Sequence, residues 1–304
     1  MKSIALYIIC VLGFFFNKVS NYILLPTVFE NDLIYLSIPL DLDTLYLYTD
    51  TGGKNLLYKS GMRKLDIKCS KKNLWEELNI ETILVKNEIP IPFLKEIYFT
   101  NDKSSKFNGM LGREWFASKN WEFDYEHKTL KYFKLPPEKV KVDANQMVNL
   151  YFKKDALGNP MNHLARIQII VKSDTLSMLF DTGAQAHLSI EAQKELNKRG
   201  LVATSFVNAS TFDMWRKTYP EWSVIQGGDL SYGQKSDIII VPEIQIGDKI
   251  VGPVEFVKRK DSNFKVMSEF FMDEEITGAI GGNALSGLKK FTVDYNSEEL
   301  MIIE

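Results

Sequence analysis

Cysteine is nearly missing from this chain: 304 residues contain only Cys10 and Cys69. If the first twenty residues are removed, Cys69 is left alone and no internal disulfide can form. Without a neighbouring histidine it reads as an inert thiol rather than a nucleophile. Histidine is equally scarce. His127, His163 and His187 are scattered, and none sits in the helical zinc motif His-Glu-x-x-His. There is no Gly-x-Ser-x-Gly turn and no glycine-rich phosphate loop leading into a helix, so serine-hydrolase and nucleotide-cradling chemistries lose their usual signatures. No cofactor and no metal is expected. Excess positive charge is missing too. The formal net charge is −2, and the small run Lys68, Lys71, Lys72 is answered at once by Glu76 and Glu77, which excludes a basic footprint for nucleic acid.

Long apolar runs are also lacking. The stretch from Ile4 to Phe16, preceded by Lys2, is too short to span a bilayer comfortably and has the length of a secretory h-region. Residues 1–20 are therefore read as a signal peptide or, if uncleaved, an N-terminal anchor, and membrane contact is expected only through that segment. Tyr7-Ile8-Ile9 lack the small residue that precedes a lipid-attached cysteine, which argues against lipidation at Cys10. Localisation is expected to be exported, in a bacterial periplasm or cell envelope or secreted. The 29 residues between Ser20 and Asp50 already hold two strand-like runs, Leu33–Ile38 and Leu45–Thr49.

What is present is a repeat. Asp-Thr-Gly occurs at Asp50-Thr51-Gly52 and again at Asp181-Thr182-Gly183, each time closing a strand-like run, Leu45–Thr49 and Leu176–Phe180. Each is followed by Gly-apolar-apolar-Gly, Gly109–Gly112 and Gly278–Gly281. Then comes an aromatic strand with an internal acid, Trp121–Tyr125 and Phe291–Tyr295, with Asp124 and Asp294 read as structural acids on their hairpins. The same order appearing twice is an internal duplication. Two such turns facing each other would bring two carboxyl groups close enough to share one proton.

On these residues the chain resembles the pepsin-like aspartic proteases, with Asp50 through Ser60 similar to their amino-lobe signature. The second copy, Asp181 through Ser189, is similar to the retroviral-type (retropepsin-like) single-lobe enzymes and their bacterial relatives. The likeness covers about residues 30 to 304. It implies a mostly β, bilobal acid-protease fold: two related β-barrel-like lobes with the active-site cleft between them. The expected organisation is 21–135 for the first lobe, 136–147 for a proline-marked linker and 148–304 for the second. It further implies an aspartic endopeptidase acting on a peptide or protein substrate as a monomer, with Asp50 and Asp181 catalytic. Thr51 and Thr182 would lock the two turns together, and Gly52 and Gly183 would donate amides to the carboxylates. The alternative is a catalytically inactive binding or scaffold protein of the cell envelope with the same fold.

Two departures stand out. Gly53 occupies a position where the resemblance calls for Ser or Thr, and no tyrosine-bearing, glycine-rich hairpin follows Asp50 to serve as a flap over substrate. The second lobe offers one, Val224–Gly233, with Gly227 and Gly228 as the expected mobile tip. Trp215, Tyr219 and Trp222 just before it are read as core aromatics or cleft lining, and His187 as a surface or packing residue. Most remaining segments read as short strands, Thr82–Val85, Glu96–Phe99, Ile238–Val241 and Val254–Val257. One helix is predicted over Ile190–Arg199, capped by Ser189 and closed by Gly200, and a short one over Leu74–Leu78.

Overall fold

The protein is described here from a computed structural model. It covers residues 21–67, 72–74, 80–92, 96–100, 107–135 and 146–303. The leader 1–20, most of the linker, Cys69 and Leu78 lie outside these residues.

The duplication seen in sequence is a duplication of hydrogen bonding. In the first half, strand Thr44–Thr49 runs into Asp50 and pairs in parallel with Gly109–Leu111. That strand pairs antiparallel with Leu56–Tyr58, which is in turn parallel to Glu96–Thr100. In the second half, Asp174–Phe180 pairs in parallel with Gly278–Ile280. Gly278–Ile280 is antiparallel to Ser205–Asn208, which is parallel to Val254–Arg259. The result is a seven-stranded sheet in one lobe and a nine-stranded sheet in the other.

A third sheet, of six strands, is built from both halves and closes the molecule at its base. Strand Asn120–Asp124 lies antiparallel to Lys290–Asp294, with Glu122 opposite Thr292 at the centre of the register. Each arm alternates apolar and polar residues and so sets them on opposite faces, and in Asn120–Asp124 both faces are buried. The apolar face carries Trp121 and Phe123 against Phe291 and Val293. Phe123 stacks on Phe291 with ring centres 5.1 Å apart, and Trp115 and Phe116 pack on Trp121. The polar face carries Glu122, paired to Lys131 at 2.6 Å and to Lys290 at 3.5 Å.

Local propensity misleads at one predicted strand. Thr82–Val85 is β-branched and reads as extended, yet it lies within a helix, Ile80–Lys86. Ile80 and Leu84, four residues apart, share its buried face, and that burial outweighs the modest helix penalty of β-branched residues. The helix predicted over Ile190–Arg199 spans Ile190–Leu196. Ser189 Oγ accepts from the Ala192 amide, and the left-handed Asn197 ends the helix before Gly200 is reached. Two further helices, Ala209–Thr218 and Asp261–Phe271, flank the second lobe, and Trp215 on the first of them is fully buried against Phe256.

Because the shared sheet joins the lobes through one aromatic core, Phe123→Ala is expected to destabilise the whole molecule by about 3–5 kcal/mol. Urea unfolding followed by tryptophan fluorescence and by far-ultraviolet circular dichroism should still give coincident transitions. Two separated transitions would show that the halves are independently stable.

Candidate active site

The two Asp-Thr-Gly turns meet between the lobes, and the interlock is made by the threonines. The Thr182 amide donates to Thr51 Oγ1 at 2.9 Å and the Thr51 amide donates to Thr182 Oγ1 at 3.2 Å. The Thr51 hydroxyl donates in turn to the Phe180 carbonyl at 2.9 Å. Both threonines are buried, so these bonds are shielded from competing water. The strand-end contacts repeat across the pair: the Asp50 amide donates to the Leu111 carbonyl and the Asp181 amide to the Ile280 carbonyl, each at 3.0 Å.

The aspartates come together with the other turn's glycine between them and the backbone. A Cβ on Gly52 would stand 2.6 Å from Asp181 Cγ, and one on Gly183 would collide with the Asp50 carboxyl group. Glycine is therefore required at both positions by close approach. Each glycine amide also donates to its own turn's carboxylate, Gly52 to Asp50 Oδ1 at 2.9 Å and Gly183 to Asp181 Oδ1 at 3.0 Å.

The two carboxyl groups lie side by side, each packed against the glycine of the opposite turn and each acting on the other's titration. Burial raises the pKa of Asp50, opposed by hydrogen bonds from Asp181, Gly52 and Gly53 and by the Arg113 cation. Asp181 is pushed well above the usual carboxylate range, by burial first and then by the charge and hydrogen bond of Asp50. A like-charge pair at this separation keeps one proton between its members.

Two neighbours were not legible in the sequence, and a third lay within the hairpin expected to serve as a flap. Tyr48, two residues before Asp50, is buried and donates its hydroxyl to the Gly183 carbonyl at 2.7 Å, tying the second turn to the first lobe. Met110 reaches the space beside Gly53. A Cβ there would lie 2.8 Å from its Cε and 2.6 Å from Asp50 Oδ2, so in this arrangement the glycine leaves no room for a hydroxyl-bearing side chain. Tyr232 is the third.

Tyr232 belongs to the hairpin Val224–Asp229 and Ser236–Val241. The mobile-tip role expected of Gly227 and Gly228 does not fall on them. Both lie inside the first strand, at a bulge between Ile225 and Asp229. The Gly227 amide is held by Asp237 Oδ1, and the Gly228 carbonyl accepts from the Ser189 amide. The tip is Ser231–Gly233, with Tyr232 in the left-handed region at φ 57° and 86% exposed. Its hydroxyl pKa is raised by surrounding protein and, against the pull of Arg259, by the charges of Asp181, Asp50 and Asp229. Asp229, fully buried, anchors the tip. Its Oδ1 accepts from the His187 amide, the Ser231 amide and the Ser231 hydroxyl, and its Oδ2 pairs with Arg259 at 2.9 Å.

His187 itself is exposed on strand Gln185–His187. Trp215 and Trp222 are buried in the core, whereas Tyr219 is half-buried and stacks on Trp222 at 4.3 Å. Asp124 binds the amide and ring of His127 in its hairpin turn. Among the described residues there is no cluster of His, Cys, Asp and Glu fit for a metal ion, and no helix long and apolar enough to cross a membrane.

No family model and no curated protein matches the sequence. Among solved structures, the chain is similar to conglutin gamma, a basic 7S globulin from lupine seeds, at 10% identity and a TM-score of 0.44. It is also similar to EDGP at 8% and 0.42, and to basic 7S globulin from soybean at 6% and 0.42. In each case 92% of this chain and 94% of the other are covered. At such scores the likeness carries no functional argument. The motif-based assignment to the pepsin-like and retropepsin-like proteases of bacterial type is corrected accordingly. No family or curated match carries it, and the named structural neighbours include plant globulins. Short motifs fix the geometry of two turns, and that is less than membership of a family.

The raised Asp181 pKa gives a stability prediction. A carboxyl whose folded pKa lies above its unfolded value stabilises below the unfolded pKa, and that stability is lost as pH rises through the folded one. Asparagine carries no charge to bury, so Asp181→Asn should raise Tm by about 2–4 °C at neutral pH. The advantage should vanish at acid pH, where both carboxyls are protonated. A Tm difference that grows on acidification would contradict the shared-proton arrangement.

Proposed function

We propose that this chain is an exported aspartic endopeptidase that hydrolyses peptide bonds with water activated by the Asp50 and Asp181 pair. The observation that supports this most is the close approach of two half-buried carboxyl groups, each packed against the glycine of the opposite turn and held in register by the threonine exchange. A monoprotonated pair can act as base and acid in one step. The ionised member takes a proton from a water molecule between them, while the protonated member hydrogen-bonds the scissile carbonyl and stabilises the charge that develops there. The pair titrates as a unit, and the roles belong to the dyad rather than to one aspartate. The hairpin carrying Tyr232 supplies a cover that would keep bulk water from the bound peptide. Export rests on the apolar leader, Ile4 to Phe16.

A second reading is a catalytically inactive binding or scaffold protein of the cell envelope with the same fold. Gly53 favours it, because it leaves Asp50 without a hydroxyl donor at that position and with backbone amides only. It is also in keeping with the globulin names of the similar structures, which carry no weight at their TM-scores.

Digestion of a mixed peptide library from pH 3 to 9 separates the two readings. The enzyme reading expects cleavage that falls by about 10³-fold or more in Asp50→Asn and in Asp181→Asn, with both variants folded. Its pH profile should be bell-shaped. Activity is lost on the acid side as the second carboxyl protonates and on the alkaline side as the shared proton leaves. Both limits should lie above the ordinary aspartate range, because both pKa values are raised. No cleavage by folded wild type, or cleavage unchanged in both variants, would leave the scaffold reading standing.

A further inference from the structure

Beside the Tyr232 tip, on the flank formed by the second-lobe helices, lies a cavity of about 450 Å³. Four of its lining residues are cations, Lys235, Lys258, Arg259 and Lys260, and its single lining carboxylate is Asp237. Two of the cations are already paired. Lys258 Nζ holds both oxygens of Asp213 at 2.7 Å, and Arg259 holds Asp229 while its guanidinium covers the Phe206 ring at 4.4 Å. The acids around the cavity are committed as well. Asp237 accepts from the Gly227 amide, and Asp261 accepts from the amide and hydroxyl of Ser210. Lys235 and Lys260 are exposed, and among the described residues neither makes an ion pair. Lys260 also opens the helix Asp261–Phe271, whose first amides receive no side-chain cap from it.

The Tyr232 tip connects this cavity to the Asp181 turn. Tyr232 lines the cavity with Arg259 6.0 Å from its ring, and its neighbour Ser231 accepts from the amide of His187, on the segment that leads out of that turn. A peptide lying under the tip would therefore leave the cleft past Lys235 and Lys260. Two uncommitted ammonium groups beside a rigid, buried Arg–Asp pair form a place where a carboxylate gains charge-assisted hydrogen bonds without displacing a partner.

We infer that the cavity beside Tyr232 is a subsite for an acidic side chain, Asp or Glu, of the peptide held in the cleft. The inference rests on the peptide-cleaving reading for the existence of that peptide, but it can be measured without catalysis. The probe is a library of C-terminally amidated decapeptides on an apolar background, each with one Glu or one Gln at a scanned position. Amidation leaves the side chain as the added carboxylate. Binding is read by fluorescence polarisation on the Asp181→Asn protein.

At one or two scanned positions the Glu peptide should bind about tenfold tighter than its Gln counterpart. The preference should weaken as salt rises from 50 to 300 mM and disappear in Lys235→Glu/Lys260→Glu. Both lysines are exposed, so the fold should tolerate the double change, and an unchanged Tm verifies it. Equal binding of Glu and Gln peptides, no binding of either, or a preference that survives the double substitution would overturn the subsite. Wild-type cleavage of the Gln peptides is scored separately. Cleavage without a Glu preference removes the subsite alone, and a Glu preference without cleavage removes hydrolysis alone.

Discussion

Two carboxyl groups that share one proton repel each other once that proton leaves, so their backbones must be held together by something other than the carboxyls. Here that restraint is the exchange of hydrogen bonds between Thr51 and Thr182. It is buried and reciprocal, and it joins a turn of one lobe to a turn of the other. Everything nearby is arranged around it: glycines that let each turn approach the opposite aspartate, and Tyr48 reaching across to the Gly183 carbonyl. The six-stranded sheet below prevents the lobes from drifting apart. A single donor–acceptor exchange is worth only about 0.5–1.5 kcal/mol per bond. Its importance is positional, since it ties the two turns directly to each other where the carboxyls approach.

The site is also asymmetric, although the turns are not. In the first half, the chain after Asp50 folds into helices Lys59–Lys64 and Ile80–Lys86 and strand Glu96–Thr100. The second half sends out the hairpin that carries Tyr232. Its anchor, Asp229, bonds the backbone of His187, six residues beyond Asp181, so the hairpin tip and the second Asp-Thr-Gly turn are referenced to the same short segment. Movement of the tip about Asp229 would leave the dyad undisturbed. Arg259 is placed to act on both sides of that hinge, since it neutralises Asp229 and faces the Tyr232 ring.

The meeting of the two turns was legible in the sequence because each is a contiguous tripeptide, and because the second copy of each motif corroborates the first. The shared sheet was legible as two matching aromatic strands, Trp121–Tyr125 and Phe291–Tyr295, though their direct pairing was not. Features set by distant contacts were missed. Tyr48 reads as one more strand residue until Gly183 is placed beside it. The glycines of the hairpin drew attention to Gly227 and Gly228, whereas the tip lies further on, because Asp237 and Ser189 pin those glycines inside the strand. Thr82–Val85 was misjudged because β-branching speaks for a strand locally, while the spacing of Ile80 and Leu84 serves a helix packed on the core.

The central register of the shared sheet bears on assembly. In each half, one edge of the aromatic strand is completed by the other half, Asn120–Asp124 against Lys290–Asp294. A first half on its own would present that edge to a second copy of itself, and the same antiparallel register would then set Glu122 against Glu122. Like charges directly opposite each other are unfavourable. In the intact chain Thr292 stands there instead, and Lys290 of the second half joins Lys131 on the Glu122 carboxylate. The substitution of threonine at one face-to-face position thus biases the halves toward each other and away from self-pairing. The covalent connection makes the encounter intramolecular, so that it no longer depends on protein concentration. Freed from the need to be its own partner, each half can diverge from the other, and among the described residues the second carries the hairpin anchored beside its own turn.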